Sequence, residues 1–260
     1  MERLHADRVL RAIRRGSSWP VIVDAGGRRL FVKLRGAAQG VAPLVAEVIV
    51  AGLAEAIDLR VPARALVHVD ASVASDDRHE ELRALLKASA GWNLGFDELR
   101  GAVDLRPEDA AGIDEATASR IVWLDGLVVN EDRGPMNPNL MIDGRGLWLV
   151  DHGAALGFHH DWAAVDEEAP RRAYAPVMGH VLGSRAVAVA ELDAALAARL
   201  PRERITAIVD EVPDELLGAP RGPRGDEARR RRRAAYVAFL WKRLKAPRAF
   251  AQGVAARGAR

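Results

Sequence analysis

The spacing of apolar residues along the chain indicates two regions of different character. In the first 70 residues, β-rich runs at positions 21–24 and 29–34 flank a Gly-Gly turn, which predicts a β-hairpin. Residues 43–57 are rich in Ala, Leu and Val and begin with a proline, so we predict a largely buried helix there. Residues 61–69 predict a further strand. Strand, strand, helix and strand together predict a small α+β region.

From Asp76 onward the pattern is mainly helical. The predicted helices lie near residues 80–88, 114–129, 186–199 and 227–244. One exception is a second hairpin, with predicted strands 139–142 and 147–150 around a turn that contains two glycines. Residues 218–226 are rich in Gly, Pro and Arg and predict a loop.

The second hairpin predicts that two distant polar residues are neighbours. If Ile142 and Leu147 close its turn, antiparallel pairing places Pro138 opposite Asp151. Asn137 and Asp151 then leave the hairpin at the same end, where we expect them to lie close together.

Asp132 adds a third oxygen-bearing side chain to this place. It precedes Asn137 by five residues, in a segment where Gly134 and Pro135 preclude a continuing helix and favour a shaped loop. Carboxylate and amide oxygens of this kind suit magnesium, which takes one or two carboxylates together with substrate phosphates. The alternative is that each side chain only bonds nearby backbone, as Asp and Asn often do in turns.

Two charged residues stand inside apolar segments. Lys33 shares one face of its predicted strand with Phe31, while Leu30 and Val32 occupy the other face. Glu47 stands within an apolar helix, where an unpaired carboxylate would be costly. We therefore predict that Lys33 pairs with Glu47. A purely structural ion pair, or a lysine that extends its amine to water, is the alternative.

Composition limits the function classes only broadly. The chain is 49% apolar and 28% charged, as in folded proteins, and its formal charge of +2 does not by itself indicate a polyanion partner. The absence of cysteine excludes disulfides, Cys metal sites and thiol nucleophiles. No apolar run approaches the roughly 18 residues that span a bilayer, and the first residues lack a signal-peptide core. We expect a cytoplasmic protein with no membrane partner.

These residues, in this order, resemble the protein-kinase arrangement: a strand lysine, a helix glutamate, a loop Asp followed five residues later by Asn, and an Asp before a glycine. The chain resembles more specifically the bacterial HipA-like kinase family. The matching segments are Phe31-Val32-Lys33-Leu34, Glu47, residues 130–139 (Asn-Glu-Asp-Arg-Gly-Pro-Met-Asn-Pro-Asn), Leu149-Val150-Asp151-His152-Gly153 and the helix with residues 236–243.

The resemblance implies an α+β, bilobal protein-kinase-like fold. Its N-lobe would be a small sheet-plus-helix unit over about residues 1–75. Its C-lobe, over about 76–260, would be mainly helical, with a hairpin that carries the metal site, and both would form one HipA-like kinase domain.

The resemblance also implies residue roles and cofactors. Lys33 would contact the ATP phosphates and Glu47 would orient it. Asp132 would align or deprotonate the acceptor hydroxyl, while Asn137 and Asp151 would hold Mg²⁺. The expected activity is transfer of the γ-phosphoryl group of ATP to a hydroxyl acceptor, with a protein Ser or Thr as the first candidate. An antitoxin-like regulator is a further expected kind of partner.

The sequence departs from the kinase pattern in two respects. It lacks a full Gly-x-Gly-x-x-Gly loop, and the nearest phosphate-binding candidate is Gly16, Ser17 and Ser18, for which a plain turn is equally compatible. Asn130-Glu131 replaces the usual His-Arg before the catalytic Asp, and His152 replaces the Phe of Asp-Phe-Gly. Both replacements argue against an ordinary eukaryotic-type kinase.

Other hypotheses remain. A nucleotide-binding pseudokinase acting as a regulatory interaction module is disfavoured because Lys33, Asp132, Asn137 and Asp151 are all present. The five arginines at 229–233 predict a solvated helix face more than a nucleic-acid contact, and we expect no nucleic-acid partner. His159-His160-Asp161 lacks the spacing of a metal site on a helix, so we assign no metal there.

Overall fold

A computed structural model describes residues 1–14, 19–37, 39–175, 179–218 and 222–252. They group into two compact units. The first comprises the described residues within Met1–Val45, Pro62–Gly101 and Pro213–Ala219, and the second comprises those within Ala46–Val61, Ala102–Val212 and Pro220–Arg260. The expected division into lobes at about residue 75 stays a prediction. Within the described residues, no helix is both long and apolar enough to cross a membrane.

The first unit contains a seven-stranded sheet. Its strands are β1 (Glu2–His5), β2 (Arg8–Ala12), β3 (Val21–Ala25), β4 (Arg28–Lys33), β5 (Arg64–Val69), β6 (Ala74–Ser75) and β7 (Gly91–Asp97). Their order is β1-β5-β7-β4-β3-β2-β6, in which β1 pairs parallel with β5 and β2 pairs parallel with β6. The predicted hairpin is confirmed, since β3 and β4 pair antiparallel around the Gly-Gly turn.

Helix α2 (Glu80–Ala88) covers the apolar face of this sheet. Its buried residues, Leu82 and Leu86, are four positions apart and therefore lie on one side of the helix. They pack in the same core as Leu30 and Val32 of β4. The alternation predicted for β4 is confirmed, because these side chains enter the core and Lys33 lies on the other face.

Strand β7 was not predicted, although it lies between β4 and β5. Its sequence includes Gly95 and the fully buried Asn93, and both residue types are weak signals for a strand interior. Asn93 accepts a hydrogen bond from the Arg35 amide at 2.8 Å and donates to the Gly91 carbonyl oxygen at 2.8 Å. Its polarity is thus satisfied by contacts that the local sequence pattern does not reveal.

The second unit combines helices with a small sheet. Helix α1 (Ala42–Ala56) begins in the first unit and continues in the second. Besides several short 3-10 helices, the second unit contains α3 (Glu115–Val128), α4 (Val189–Ala198), α5 (Arg202–Asp210), α6 (Pro223–Leu244), β8 (Val103–Asp104), β9 (Leu140–Asp143) and β10 (Gly146–Leu149). The small sheet has the order β10-β9-β8.

Most predicted helices are confirmed, with different ends for some. Asp114 caps α3 by accepting a hydrogen bond from the Thr117 amide at 2.8 Å, and α3 is buried on nearly all sides. Helix α4 is shorter than predicted and α6 begins four residues earlier than 227. Helix α5 was missed because it is short and polar, with only Ile205, Ile208 and Val209 buried.

Gly95 offers a test of the sheet packing. A Cβ at this position would lie 2.6 Å from Cγ2 of Val67, a stiff and fully buried side chain. We expect Gly95→Ala to lower the free energy of unfolding by about 1–3 kcal/mol, measured by urea denaturation. The control is Gly112→Ala, where no heavy atom lies within 4 Å of the added Cβ. Equal midpoints for the two variants would contradict this packing.

Candidate active site

The β9–β10 hairpin has the predicted register. Ile142 pairs with Leu147, and the ladder runs from Asp143 opposite Gly146 to Leu140 opposite Leu149. One residue further on, the Val150 amide donates to the Asn139 carbonyl oxygen at 3.1 Å. The two strands therefore continue side by side to the point where Asn137 and Asp151 follow, at the same end of the hairpin.

Asp132 and Asn137 contact each other directly. The loop between them closes in a turn, in which the Asn137 amide donates to the Gly134 carbonyl oxygen at 3.1 Å. The Asn137 side chain donates through Nδ2 to Oδ2 of Asp132 at 2.9 Å. A carboxylate only accepts hydrogen bonds, so the amide must present its NH2 group to Asp132 and its oxygen elsewhere. That oxygen is the atom that could bind a cation. Met136, in the same turn, is 94% exposed.

The Asp132 backbone is held by a second asparagine. Asn139 donates from Nδ2 to the Asp132 carbonyl oxygen at 2.6 Å, and Asn139 adopts a left-handed backbone conformation with φ of 49°. Asparagine tolerates this conformation better than most residues. Asn139 thus connects the start of the hairpin to Asp132, in the loop that follows α3.

Asp151 is solvent-exposed and has a φ of 55°, in the left-handed region that costs a non-glycine residue roughly 1–2 kcal/mol. The next residue, His152, is buried, and its amide donates to Oε1 of Glu47 at 2.9 Å. Glu47 is fully buried in α1. Glu47 therefore fixes the backbone immediately after Asp151, a contact that sequence reasoning did not anticipate.

The remaining predicted residues are placed less completely. Lys33 is 7% exposed and lies opposite Leu94 in the large sheet. It belongs to the first unit and Glu47 to the second, and their ion pair stays a prediction. Gly16, Ser17 and Ser18 lie outside the described residues, so their assignment to a phosphate-binding loop stays a prediction as well.

Beneath Asp132 lies a buried charged network that the sequence analysis missed. Arg133 binds the carboxylate of Asp125 in α3 through Nε at 2.5 Å and Nη2 at 3.3 Å. His180 Nε2 lies 2.9 Å from the same carboxylate. Because the Leu182 amide donates to Nδ1 of His180 at 3.0 Å, Nε2 carries the proton that His180 donates to Asp125.

The charge of Asp125 is stabilised in spite of its burial. Burial alone would raise the pKa of Asp125, but the positive charge of Arg133 and the hydrogen bond from His180 outweigh it and hold that pKa well below its usual range. The available signal was Asp125 itself, a carboxylate inside the apolar run at 121–129.

Asn130 joins the same network. Its Nδ2 donates to Oδ1 of Asp125 at 2.8 Å, and its Oδ1 accepts from the Asp132 amide at 3.2 Å. Tyr174 donates its hydroxyl to the Asn130 carbonyl oxygen at 2.5 Å, and burial raises the pKa of this phenol above its ordinary value. The replacement of the usual histidine by Asn130 therefore provides an internal support for the loop.

A model of the HipA-like kinase family matches residues 6–218 of the sequence. The chain belongs to the HipA-like kinase family. Its structure is similar to the crystal structure of a Helicobacter pylori proinflammatory kinase, CtkA, with a TM-score of 0.54 and 9% sequence identity over 92% of this chain and 94% of that one. A comparison with curated proteins finds no match. The α+β, protein-kinase-like fold class is confirmed, and family membership supports a phosphotransferase of the kinase type.

The arginine run at 229–233 of this HipA-like kinase has a structural explanation. Arg230 and Arg231 are exposed and pair with Glu227 of the same helix, as predicted for a solvated face. Arg229 differs, because it is 9% exposed and contacts Asp226. Among the described residues, no three His, Cys, Asp or Glu side chains are grouped as they would be to hold a metal ion.

His159 is a buried histidine whose pKa lies below its usual value. Its Nδ1 lies 3.0 Å from the Tyr236 hydroxyl, and burial, with the nearby charges of His160 and Arg232, lowers its pKa to about 3. Below the ordinary histidine pKa of about 6.5, the unfolded chain binds a proton here and the folded protein does not. The contribution of His159 to stability therefore falls as the pH drops from about 6.5 towards 3.

We expect wild type to lose up to about 1.4 kcal/mol per pH unit in this window relative to His159→Gln, whose side chain does not titrate. Urea unfolding of both proteins at a series of pH values measures the difference. His160→Gln, at the exposed neighbouring ring, is the control and should keep most of the wild-type slope. Parallel curves for wild type and His159→Gln would rule out this role.

Proposed function

We propose that this HipA-like kinase transfers the γ-phosphoryl group of ATP, with Mg²⁺, to a hydroxyl acceptor, and that the acceptor is a Ser or Thr of a protein. The observation that carries the proposal is the Asp132–Asn137 hydrogen bond of 2.9 Å at the end of the hairpin where Asp151 also emerges. This hydrogen bond supports Asp132 as a candidate base and Asn137 as a candidate metal ligand, and the shared end of the hairpin supports Asp151 as a second ligand. We place the protein in the cytoplasm and include an antitoxin-like regulator among its proposed partners.

The donor set fits magnesium. The Asn137 oxygen and the exposed Asp151 carboxylate are hard oxygen ligands, and phosphate oxygens would complete the coordination. Bound magnesium would neutralise negative charge on the transferred phosphoryl group. We assign Asn137 and Asp151 to hold this ion.

Asp132 is the proposed acceptor-side residue. Its Oδ2 accepts hydrogen bonds from Nδ2 of Asn137 at 2.9 Å and from Nδ2 of Asn139 at 3.3 Å, and these fix the orientation of the carboxylate. Its other oxygen can accept the proton of an incoming hydroxyl. Positioning and charge neutralisation contribute most of the catalysis in phosphoryl transfer, so a fixed carboxylate suits this role.

On the nucleotide side we propose that Lys33 contacts the ATP phosphates and that Glu47 orients it, with Gly16, Ser17 and Ser18 as a phosphate-binding loop. The burial of Lys33, at 7% exposed, supports an anionic partner for its amine. Glu47 also accepts a hydrogen bond from the His152 amide. It would therefore orient Lys33 and also support the chain next to the proposed metal ligand Asp151.

Catalysis is tested by measuring the transfer of labelled phosphate from ATP to protein in the presence of magnesium. We expect Asp132→Asn and Asp151→Asn each to lower the rate by about 100-fold or more, because each removes a charge that acts on the reacting groups. Phosphoamino-acid analysis of the product should yield phosphoserine or phosphothreonine.

The matched control is Asp143→Asn, at the turn of the same hairpin, where the Asp143 carboxylate accepts from the Arg145 amide at 2.8 Å. It should transfer at close to the wild-type rate. ATP binding without transfer by wild type, unchanged in both site variants, would indicate a pseudokinase instead.

Nucleotide binding is tested separately by thermal unfolding. Magnesium–ATP at about 100 times its dissociation constant should stabilise the protein by about 2.7 kcal/mol, which raises the melting temperature. Lys33→Met should remove most of this shift, while Lys87→Met at the exposed end of α2 should retain it. No shift for wild type at millimolar ATP would contradict both the kinase and the pseudokinase proposals.

A further inference from the structure

Arg133 contacts the chain segments on both sides of the candidate site, through carbonyl oxygens of one segment and through a side chain of the other. Its Nη1 donates to the carbonyl oxygens of Asn139 at 2.6 Å and Pro138 at 3.4 Å, on the loop that returns into β9. Its Nη2 lies 3.4 Å from Nδ1 of His152, on the chain that leaves β10. The remaining edge of the guanidinium binds Asp125 in α3.

These contacts fall within two residues of each proposed functional group. Arg133 follows Asp132 directly, Pro138 follows Asn137, and His152 follows Asp151. The side chain of Arg133 has no exposed surface, so it cannot itself meet a nucleotide or an acceptor from solvent. Its influence on the reaction would therefore pass through the two segments that it contacts.

We propose that Arg133 is the positioning residue of this site, and that Asp125 and His180 serve to orient its guanidinium. This inference rests on the proposed function, because Asp132, Asn137 and Asp151 are the groups being positioned. A single planar guanidinium connects α3 and the loop with the chain segments that enter and leave the hairpin at its open end. A displacement of about 1 Å in a reacting group can cost about 100-fold in rate, so this connection has kinetic consequences.

The proposed role depends on the planar geometry of the Arg133 guanidinium as well as on its charge. A lysine would still neutralise Asp125, but its single ammonium group cannot replace a planar set of donors that faces a carboxylate and two carbonyl oxygens. Arg133→Lys is therefore the informative variant. We expect its kcat to fall by about 10- to 100-fold, while its KM for ATP changes by only a few-fold.

A control and a second variant separate positioning from loss of fold. Arg243→Lys alters another buried arginine of the same unit, which donates to the carbonyl oxygens of Gly126 at 2.7 Å and Pro170 at 3.0 Å. It should lower stability without the loss in kcat. The double variant Asp125→Asn with Arg133→Met removes both buried charges, so it should fold better than Arg133→Met alone. Its kcat should stay low if Arg133 positions the site, and recovery of kcat with stability would overturn the proposal.

Amide hydrogen exchange tests the same inference without activity. In Arg133→Lys, peptides covering residues 130–140 and 150–153 should exchange faster, while those covering α4 and α5 stay as in wild type. Uniformly faster exchange across the second unit, or no local change, would contradict a positioning role. If wild type transfers no phosphoryl group, the proposed function fails, and the exchange pattern still decides whether Arg133 holds these segments.

Discussion

The carboxylate of Asp125 is fully buried in α3, and the order of the candidate site depends on how its charge is neutralised. Arg133 and His180 both bind it, and Asn130 donates to its second oxygen. Removing one partner of such a pair typically costs about 3–5 kcal/mol, because the other charge remains buried. Asn130 and Arg133, on either side of Asp132, are therefore held in place because the buried carboxylate of Asp125 needs them as hydrogen-bond donors.

Glu47 is a second buried carboxylate with a comparable task. It accepts the amide of His152 and so supports the chain just after Asp151, whose left-handed backbone is intrinsically unfavourable. Strained conformations persist where surrounding contacts impose them, and such contacts are common at functional sites. Asp125 and Glu47 thus act from beneath the site, while Asp132 and Asp151 are accessible from outside it.

Family membership and fold similarity answer different questions about this chain. The family match covers residues 6–218 and supports a kinase-type phosphotransferase. The similarity to CtkA, at 9% identity, concerns the fold alone. The hydrogen bonds between Asp132, Asn137 and Asn139 are properties of this chain, and they support the roles proposed for Asp132 and Asn137.

Local patterns in the sequence determined the helices α1 to α3, the β3–β4 hairpin and the register of β9 with β10, because alternation and short glycine turns act over a few residues. The register in turn placed Asn137 and Asp151 at one end of the hairpin. The tertiary structure alone decided the position of β7, the binding of His180 to Asp125 and the contact of Glu47 with His152. The last two join residues that are 55 and 105 positions apart. A buried carboxylate needs a hydrogen-bond donor, and here the donor comes from a distant segment that only the packing of the chain brings near.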